Sequence, residues 1–121
     1  MPDQLKQKLS PRAWHITQEQ GTEPPFSGKY NQFDQPGRYY CICCHNQLFT
    51  SNAKFESSCG WPAFSQALAN STREQKDLSH RMVRVEVSCG QCAAHLGHKF
   101  DDGPFGTRYC INSAALKFEA E

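Results

Sequence analysis

The chain has 121 residues, the size of one compact domain, and we expect a single domain over residues 1–121. Thirteen basic and twelve acidic residues give a formal charge of +1, and no run of like charge exceeds a pair, which excludes the charge footprint of a nucleic-acid-binding or anionic-lipid-binding protein. No segment approaches the roughly 20 apolar residues of a membrane span, and the first residues contain no secretory apolar stretch. We therefore expect a soluble, cytoplasmic protein.

The N-terminal part predicts one short helix followed by an irregular segment. Ser10 and Pro11 are typical of a helix N-cap and first turn, and Gly21 is a common helix stop, so the helix is expected to run to about Gln20. Residues 22–36 are rich in proline, glycine and polar residues with interspersed aromatics, which favours an irregular segment wrapped over a sheet.

The rest of the chain predicts short strands. The clearest covers residues 80–88, where Val83, Val85 and Val87 alternate with polar residues. Further strands are expected over 38–42, 47–50, 107–112 and 115–119, and a turn of helix over 63–69. We therefore predict a mainly β fold of antiparallel strands with short N-terminal helices, and with 38% apolar residues the core is expected to be lean.

Seven cysteines are many for a chain in a reducing compartment, where metal binding or thiol chemistry must account for them. Two Cys-x-x-Cys knuckles, Cys41 to Cys44 and Cys89 to Cys92, have the spacing with which paired thiolates hold a tetrahedral zinc ion. We predict one structural zinc bound by all four. Cys43 is treated as a spare thiol, and His45 and His95 as unneeded substitutes. The alternative is that one pair is a redox-active dithiol, or that some of these cysteines are ordinary buried thiols.

Cys59 and Cys110 remain after these assignments. Together with His80, His95 and His98 they are consistent with a nucleophile, a resolving thiol and acid–base support. Two buried thiols that act as small apolar side chains are an equally good interpretation of the spacing.

Several segments resemble the B-type methionine sulfoxide reductases (MsrB), which act on the R epimer of methionine sulfoxide. They are Thr-Gln-Glu-Gln-Gly-Thr-Glu-Pro-Pro-Phe-Ser-Gly-Lys-Tyr at 17–30, the first knuckle with Leu48 and Phe49, Cys-Gly-Trp-Pro at 59–62, Asp-Leu-Ser-His at 77–80, Cys-Gly-Gln-Cys-Ala-Ala-His-Leu-Gly-His at 89–98 and Arg-Tyr-Cys-Ile-Asn-Ser at 108–113. The resemblance covers nearly the whole chain. It implies one methionine-R-sulfoxide reductase domain over 1–121, two antiparallel sheets in a β-tent-like MsrB fold, and a zinc site remote from the active site.

The resemblance also implies the roles of the site residues. Cys110 falls on the nucleophile and Cys59 on the resolving thiol. Trp61 would form the wall for the substrate methyl group. His95, His98 and Asn112 would orient and protonate the sulfoxide oxygen, and His80 and Arg108 are further candidates for substrate binding.

The expected chemistry follows from thiol reactivity. An ordinary thiol has a pKa of about 8.5, so Cys110 needs positive charge nearby, which Arg108 or a histidine would supply. Attack on the sulfoxide would leave a sulfenic acid, which condenses with Cys59 to a disulfide. No flavin, nicotinamide or haem motif is present, so we expect thioredoxin as the reductant in the repair of oxidised free or peptide-bound methionine.

Three departures from the family pattern stand near the expected pocket. They are a short loop before Arg108, Ala63 in place of a common serine, and Lys99 in place of a common valine, which would put a cation or its stem beside the pocket. Two other functions stay open. The first is a non-catalytic zinc-stabilised binding module with Trp61 in a ligand cage, and the second a general disulfide oxidoreductase with metal-free knuckles. We expect a monomer.

Overall fold

The computed structural model describes residues 9–31, 33, 35–55, 59–78 and 83–120. The predicted helix is present as α1 (Pro11–Glu19), and the Ser10 side chain caps it by accepting the Ala13 N–H at 3.1 Å. The helix ends at Glu19, and Gln20 follows it in the left-handed conformation (φ 56°), so the stop expected at Gly21 comes one residue early. Gly21 N–H then donates to the His15 carbonyl at 3.0 Å.

Nine antiparallel strands form two sheets within the described residues. They are β1 (Gly37–Cys41), β2 (Gln47–Thr50), β3 (Lys54–Phe55), β4 (Ala63–Phe64), β5 (Thr72–Asp77), β6 (Arg84–Cys89), β7 (His95–Phe100), β8 (Arg108–Ile111) and β9 (Leu116–Ala120). The order is β2-β1-β9 in one sheet and β3-β4-β8-β7-β6-β5 in the other. The mainly β prediction with two antiparallel sheets is confirmed. The described part holds one α-helix rather than several, with 3₁₀ turns at Ser51–Ala53 and Ser113–Ala115.

Most strand predictions are confirmed within one or two residues. The strand expected from residue 80 begins at Arg84, because Val83 is described and lies outside the strand, while residues 80–82 are not among the described residues. The helical turn over 63–69 is wrong, because Ala63 and Phe64 form β4 and pair with Cys110 and Tyr109. Strands β5 and β7 were missed, and so was the two-residue strand β3. The first is an edge strand of polar residues, and the second is interrupted by a glycine and two histidines, so neither has the apolar alternation that marks a strand.

The core lies between the two sheets and is dominated by aromatic rings. Phe64 of β4 stacks on Phe49 with centroids 4.3 Å apart and meets Tyr39 edge-to-face at 5.1 Å. All three side chains are fully buried. Large rings bury much apolar area per residue, which offsets the small apolar share of the composition. Within the described residues, no helix has the length and apolar character that a membrane span requires.

The segment between α1 and β1 is irregular in its described residues, as predicted, and side-chain hydrogen bonds fix it to the turn after β8 and to β9. The Glu23 carboxylate is 2% exposed and accepts the N–H groups of Ser113 at 3.0 Å and Ala114 at 3.1 Å. Glu23 N–H donates to the Asn112 side chain at 3.0 Å. Farther along, Tyr30 Oη accepts the N–H of Phe118 at 3.1 Å. The segment therefore covers the end of β8 and the start of β9.

Gly97 of β7 pairs with Ile111 of β8 at a close approach of the two backbones. A Cβ atom at this position would lie 2.0 Å from the Cys110 carbonyl oxygen, so no side chain fits without backbone movement. Glycine here lets the two strands lie side by side, which brings His98 opposite Cys110.

Gly97→Ala should lower the free energy of unfolding by about 1–3 kcal/mol, because the methyl group forces β7 away from β8. Urea unfolding followed by circular dichroism measures the change. Lys117→Ala, at an exposed position of β9, is the control and should change the stability by less than about 0.5 kcal/mol. Equal stability of Gly97→Ala and the wild type would contradict the close approach.

Candidate active site and metal centre

Both Cys-x-x-Cys knuckles sit in tight turns between strands, the first between β1 and β2 and the second between β6 and β7. In each, the residue after the second cysteine, His45 or Ala93, takes a left-handed φ of 65°. Its N–H donates to the carbonyl of the first cysteine, Cys41 or Cys89, at 2.9 Å. The two turns thus have the same construction, which points both thiols of each pair to one side.

The two knuckles meet, and the Sγ atoms of Cys41, Cys44, Cys89 and Cys92 all lie within 4.8 Å of one another. Cross-knuckle distances are 3.6 Å from Cys41 to Cys92 and 3.5 Å from Cys44 to Cys89. Four thiolates at about 2.3 Å from a tetrahedral zinc would be about 3.8 Å apart, so this donor set fits a metal ion of that kind. The Cys41 thiol and backbone N–H groups lower the pKa of Cys89 to about 4. The neighbouring Cys43 and Cys89 thiols raise the pKa of Cys41, and burial raises the pKa of Cys92, so of these three ligands Cys89 is the one favoured as a thiolate before a metal ion binds.

Cys43 lies outside this cluster, as expected of a spare thiol. It is buried beside α1, where its sulfur accepts a hydrogen bond from Gln18 Nε2 at 3.4 Å. Neither histidine considered as a substitute ligand belongs to the cluster. His45 pairs with Glu119 at 2.8 Å, and His95 pairs with Glu86 at 2.7 Å.

The other two cysteines form a second sulfur pair on the large sheet. Cys110 on β8 pairs with Ala63 of β4, and Cys59 lies just before β4. The two Sγ atoms are 3.1 Å apart. A disulfide bond is about 2.05 Å long, so only a small movement separates this contact from a covalent bond.

Arg108 places a positive charge on this pair. Its Nη1 donates to Cys110 Sγ at 2.8 Å, while Nε and Nη2 bond the Asp102 carboxylate at 2.7 and 3.1 Å. The guanidinium also stacks over the Phe100 ring at 4.5 Å. The Cys59 thiol and burial raise the pKa of Cys110, whereas Arg108 lowers it. Arg108 is therefore the group that stabilises a Cys110 thiolate.

A small cavity of about 70 Å³ opens beside the Cys110 sulfur. It is lined by Thr22, Trp61, Arg84, Gly97, His98, Phe100, Cys110 and Asn112. Trp61 is fixed there because its Nε1–H donates to the Glu23 carbonyl at 3.0 Å. The cavity combines an aromatic wall, a thiol and polar groups, which suits a small group with an apolar end and an oxygen.

Two carboxylates orient the histidines of β7. His98 Nε2 is 2.8 Å from Asp77, which also pairs with Arg84 at 3.3 Å. His95 Nδ1 is 2.7 Å from Glu86. The two imidazole rings meet edge-to-face with centroids 5.6 Å apart. Burial lowers the pKa of His95, and Glu86 partly offsets that effect.

Asn112 lines the cavity, but backbone groups use most of its amide. Its Oδ1 accepts the Glu23 N–H at 3.0 Å, and Nδ2 donates to the Leu96 carbonyl at 2.9 Å. Nδ2 carries two hydrogens, so one N–H is left for a ligand. Asn112 also holds the segment between α1 and β1 around Glu23 (the Glu23 segment), to which Trp61 is bonded, against β7.

Two further expectations have different outcomes. His80 lies outside the described residues. Lys99 was expected beside the pocket, and this is wrong. Side chains alternate along β7, so Lys99 occupies the opposite face from His98, where it pairs with Glu74 at 3.0 Å and lies over the Tyr109 ring.

Sequence reasoning missed four side chains that shape the site: Arg84, Glu86, Asp77 and Phe100. Arg84 and Glu86 alternate with the valines of β6, so strand periodicity alone puts them on one face. The periodicity does not indicate that the face of β6 with Arg84 and Glu86 is the one beside the cavity. Asp77 stands in a segment quoted for the family resemblance, although no role was assigned to it.

Comparisons with known proteins identify the family of the chain. The model of the SelR domain family matches residues 9–120. Two relatives, both named peptide methionine sulfoxide reductase MsrB, come from Burkholderia mallei (strain SAVP1) and Burkholderia pseudomallei (strain K96243). Each is 49% identical over 122 residues, covering 98% of this chain and 85% of the relative.

A solved structure, the Mis18 'Yippee-like' domain, has the same backbone fold. Its TM-score is 0.60 with 23% identity, and the match covers 72% of this chain and 98% of that domain. A likeness at this level concerns the fold alone. The sequence matches are far stronger and extend over nearly the whole chain, and they show that it belongs to the SelR family of MsrB peptide methionine sulfoxide reductases.

Proposed function

We propose that this protein reduces the R epimer of methionine sulfoxide, free or in peptides, as one reductase domain over residues 1–121. The observation that carries the proposal is the Cys59–Cys110 sulfur contact of 3.1 Å beside a cavity lined by His98 and Trp61. Family membership supports the same activity. The protein would act in the cytoplasm, as a monomer, in the repair of oxidative damage.

In the first step the Cys110 thiolate attacks the sulfoxide sulfur. The substrate oxygen passes to Cys110, so that a thiol and a sulfoxide become a sulfenic acid and methionine. Arg108 stabilises the thiolate before attack. Trp61 contacts the substrate methyl group, and an aromatic face suits a methyl group bound to sulfur.

The polar residues orient and protonate the sulfoxide oxygen. His98 and Asn112 line the cavity, and His95 lies behind His98. An oxygen that receives a proton as its bond to sulfur breaks needs a donor that titrates near neutrality, which imidazole supplies. His80 and Arg108 complete the proposed substrate contacts.

In the second step Cys59 attacks the sulfenic sulfur of Cys110. The S–S bond forms and the oxygen leaves as water, which requires one proton on the leaving hydroxyl. Thioredoxin then reduces the disulfide by thiol–disulfide exchange and restores both thiols. The short distance between the two sulfurs supports Cys59 as the resolving thiol.

One zinc ion is proposed to bind to the four-cysteine cluster, where it supplies a structural link between the β1–β2 and β6–β7 turns. All four ligands are thiolates, which leaves no open position for a substrate. The ion would therefore stabilise the fold without taking part in the reaction. This arrangement disfavours a general disulfide oxidoreductase, which needs one knuckle free.

The proposal is tested by incubation of the reduced, zinc-loaded protein with R and S methionine sulfoxide separately, with dithiothreitol as reductant. Methionine should form from the R epimer only. Zinc-loaded protein that turns over neither epimer would reject the reductase and favour a non-catalytic binding module.

Cys110→Ser should lower the rate of methionine formation by about 10³-fold or more, because a serine hydroxyl does not ionise at neutral pH. Zinc content and unfolding temperature should match the wild type and serve as controls for the fold. Steady turnover by this variant would remove Cys110 from the role of nucleophile.

Cys59→Ser should still form about one methionine per enzyme, since the first step needs only Cys110. Turnover should stop when thioredoxin is the reductant, whereas dithiothreitol, a small dithiol, should still reduce the sulfenic acid. Quantification of methionine with each reductant measures this. Normal recycling by thioredoxin would show that another thiol resolves the sulfenic acid.

Cys89→Ser should lose bound zinc and unfold well below the wild-type temperature, because zinc binding contributes about 10–16 kcal/mol in small zinc domains. Metal analysis and thermal unfolding measure both effects. Cys43→Ser is the matched control, since Cys43 lies outside the cluster and should leave one zinc per chain. A stable, metal-free Cys89→Ser protein would contradict a structural role.

A further inference from the structure

Glu86 has no role in the reductase chemistry described so far. It lies on β6, and its side chain is 16% exposed. Its Oε2 is 2.7 Å from Nδ1 of His95, which is 4% exposed. Within the described part of the chain, His95 is the one ion-pair partner of Glu86. The Glu86 carboxylate therefore pairs with one imidazole, whereas the Asp77 carboxylate pairs with both His98 and Arg84.

The contact fixes the tautomer of His95. An ionised carboxylate only accepts hydrogen bonds, so Nδ1 must carry the hydrogen that lies between the two groups. In the neutral imidazole the lone pair is then on Nε2. That atom is buried and has no hydrogen-bond partner in the described residues. A buried acceptor without a donor is unfavourable, so His95 is prepared to receive a proton or a hydrogen bond during the reaction.

Charged groups from three strands face His95. They are Glu86 from β6, His98 from its own strand β7, and Asp77 from β5. Glu86 and Asp77 favour a protonated His95, while His98 and burial oppose it. His98 lies between His95 and the cavity beside Cys110, because it contacts the His95 ring and lines that cavity.

We propose that Glu86 is a positioning residue of the reductase step, and this inference rests on the proposed function. Glu86 holds His95 in the tautomer whose Nε2 has no hydrogen and no hydrogen-bond partner. The Glu86 carboxylate then stabilises the imidazolium that forms when Nε2 takes up a proton. The proton that leaves the Cys110 thiol must finally reach the sulfoxide oxygen, which becomes the hydroxyl of the sulfenic acid. His95 holds a proton during this transfer, and the Glu86 charge offsets its positive charge. A carboxylate supports the histidine of a Ser-His-Asp triad in the same way.

The test compares Glu86→Gln and Glu86→Ala with the wild type in single-turnover reduction of R methionine sulfoxide. Glu119→Gln is the matched control, because it alters another His–Glu pair of 2.8 Å, which is exposed and lies on the other sheet. The maximal single-turnover rate of both Glu86 variants should fall about 10²-fold. The substrate concentration at half-maximal rate should stay within about twofold, and the control should match the wild type.

Nitrogen-15 NMR of the histidine rings provides a readout that a loss of stability alone would not change. His95 of the wild type should carry its hydrogen on Nδ1 near neutral pH, and Glu86→Ala should lose this preference. A wild-type His95 with its hydrogen on Nε2 would overturn the proposal even if the variants failed to fold. If the wild type is active and the single-turnover rate of Glu86→Gln lies within about threefold of the wild-type rate, the role of Glu86 is overturned while the proposed function stands. An inactive wild type would reject the reductase and, with it, the role of Glu86.

Discussion

The four-cysteine cluster is the constraint on which the rest of the molecule depends. Cys41 ends β1 of the small sheet and Cys89 ends β6 of the large one, so the cluster lies where the two sheets meet. A metal ion bound at this point would close a long chain segment and order both turns at once. The aromatic core packs between the sheets that the cluster holds together. A chain with few apolar residues benefits from such a link, because its core alone provides a small margin of stability.

The large sheet assembles the site on one of its faces. Neighbouring strands β5 to β8 contribute Asp77, Glu86, the two histidines of β7, and Arg108 with Cys110. Asp77 and Glu86 each pair with an imidazole, and Arg108 bonds Cys110, so the face carries a network of paired polar groups. The Glu23 segment covers the end of this network and fixes Trp61. Rigid strands hold reacting groups more accurately than loops do.

The chemistry depends on local environment more than on fold. A domain with 23% identity has the same backbone arrangement, which says nothing of its reactivity. In the present chain a thiol lies between a guanidinium, a second thiol and a cavity with an aromatic wall. The guanidinium favours the thiolate, and the neighbouring thiol with burial opposes it. The balance between them sets how readily the sulfur reacts.

The sequence by itself determined the helix at Pro11–Glu19, most of the apolar strands and the four-cysteine set, because each depends on residues that are close together along the chain. Its resemblance to a known family selected Cys110 and Cys59 among seven cysteines. Only the tertiary structure decided that β5 and β7 are strands, since their polar residues gain their place from pairing with β6 and not from a pattern of their own. It also decided that Lys99 faces away from the cavity, and that Glu86 and Asp77 contact histidines. These contacts join side chains from different strands. The register and twist of the sheet bring them together, and no short segment of sequence encodes either.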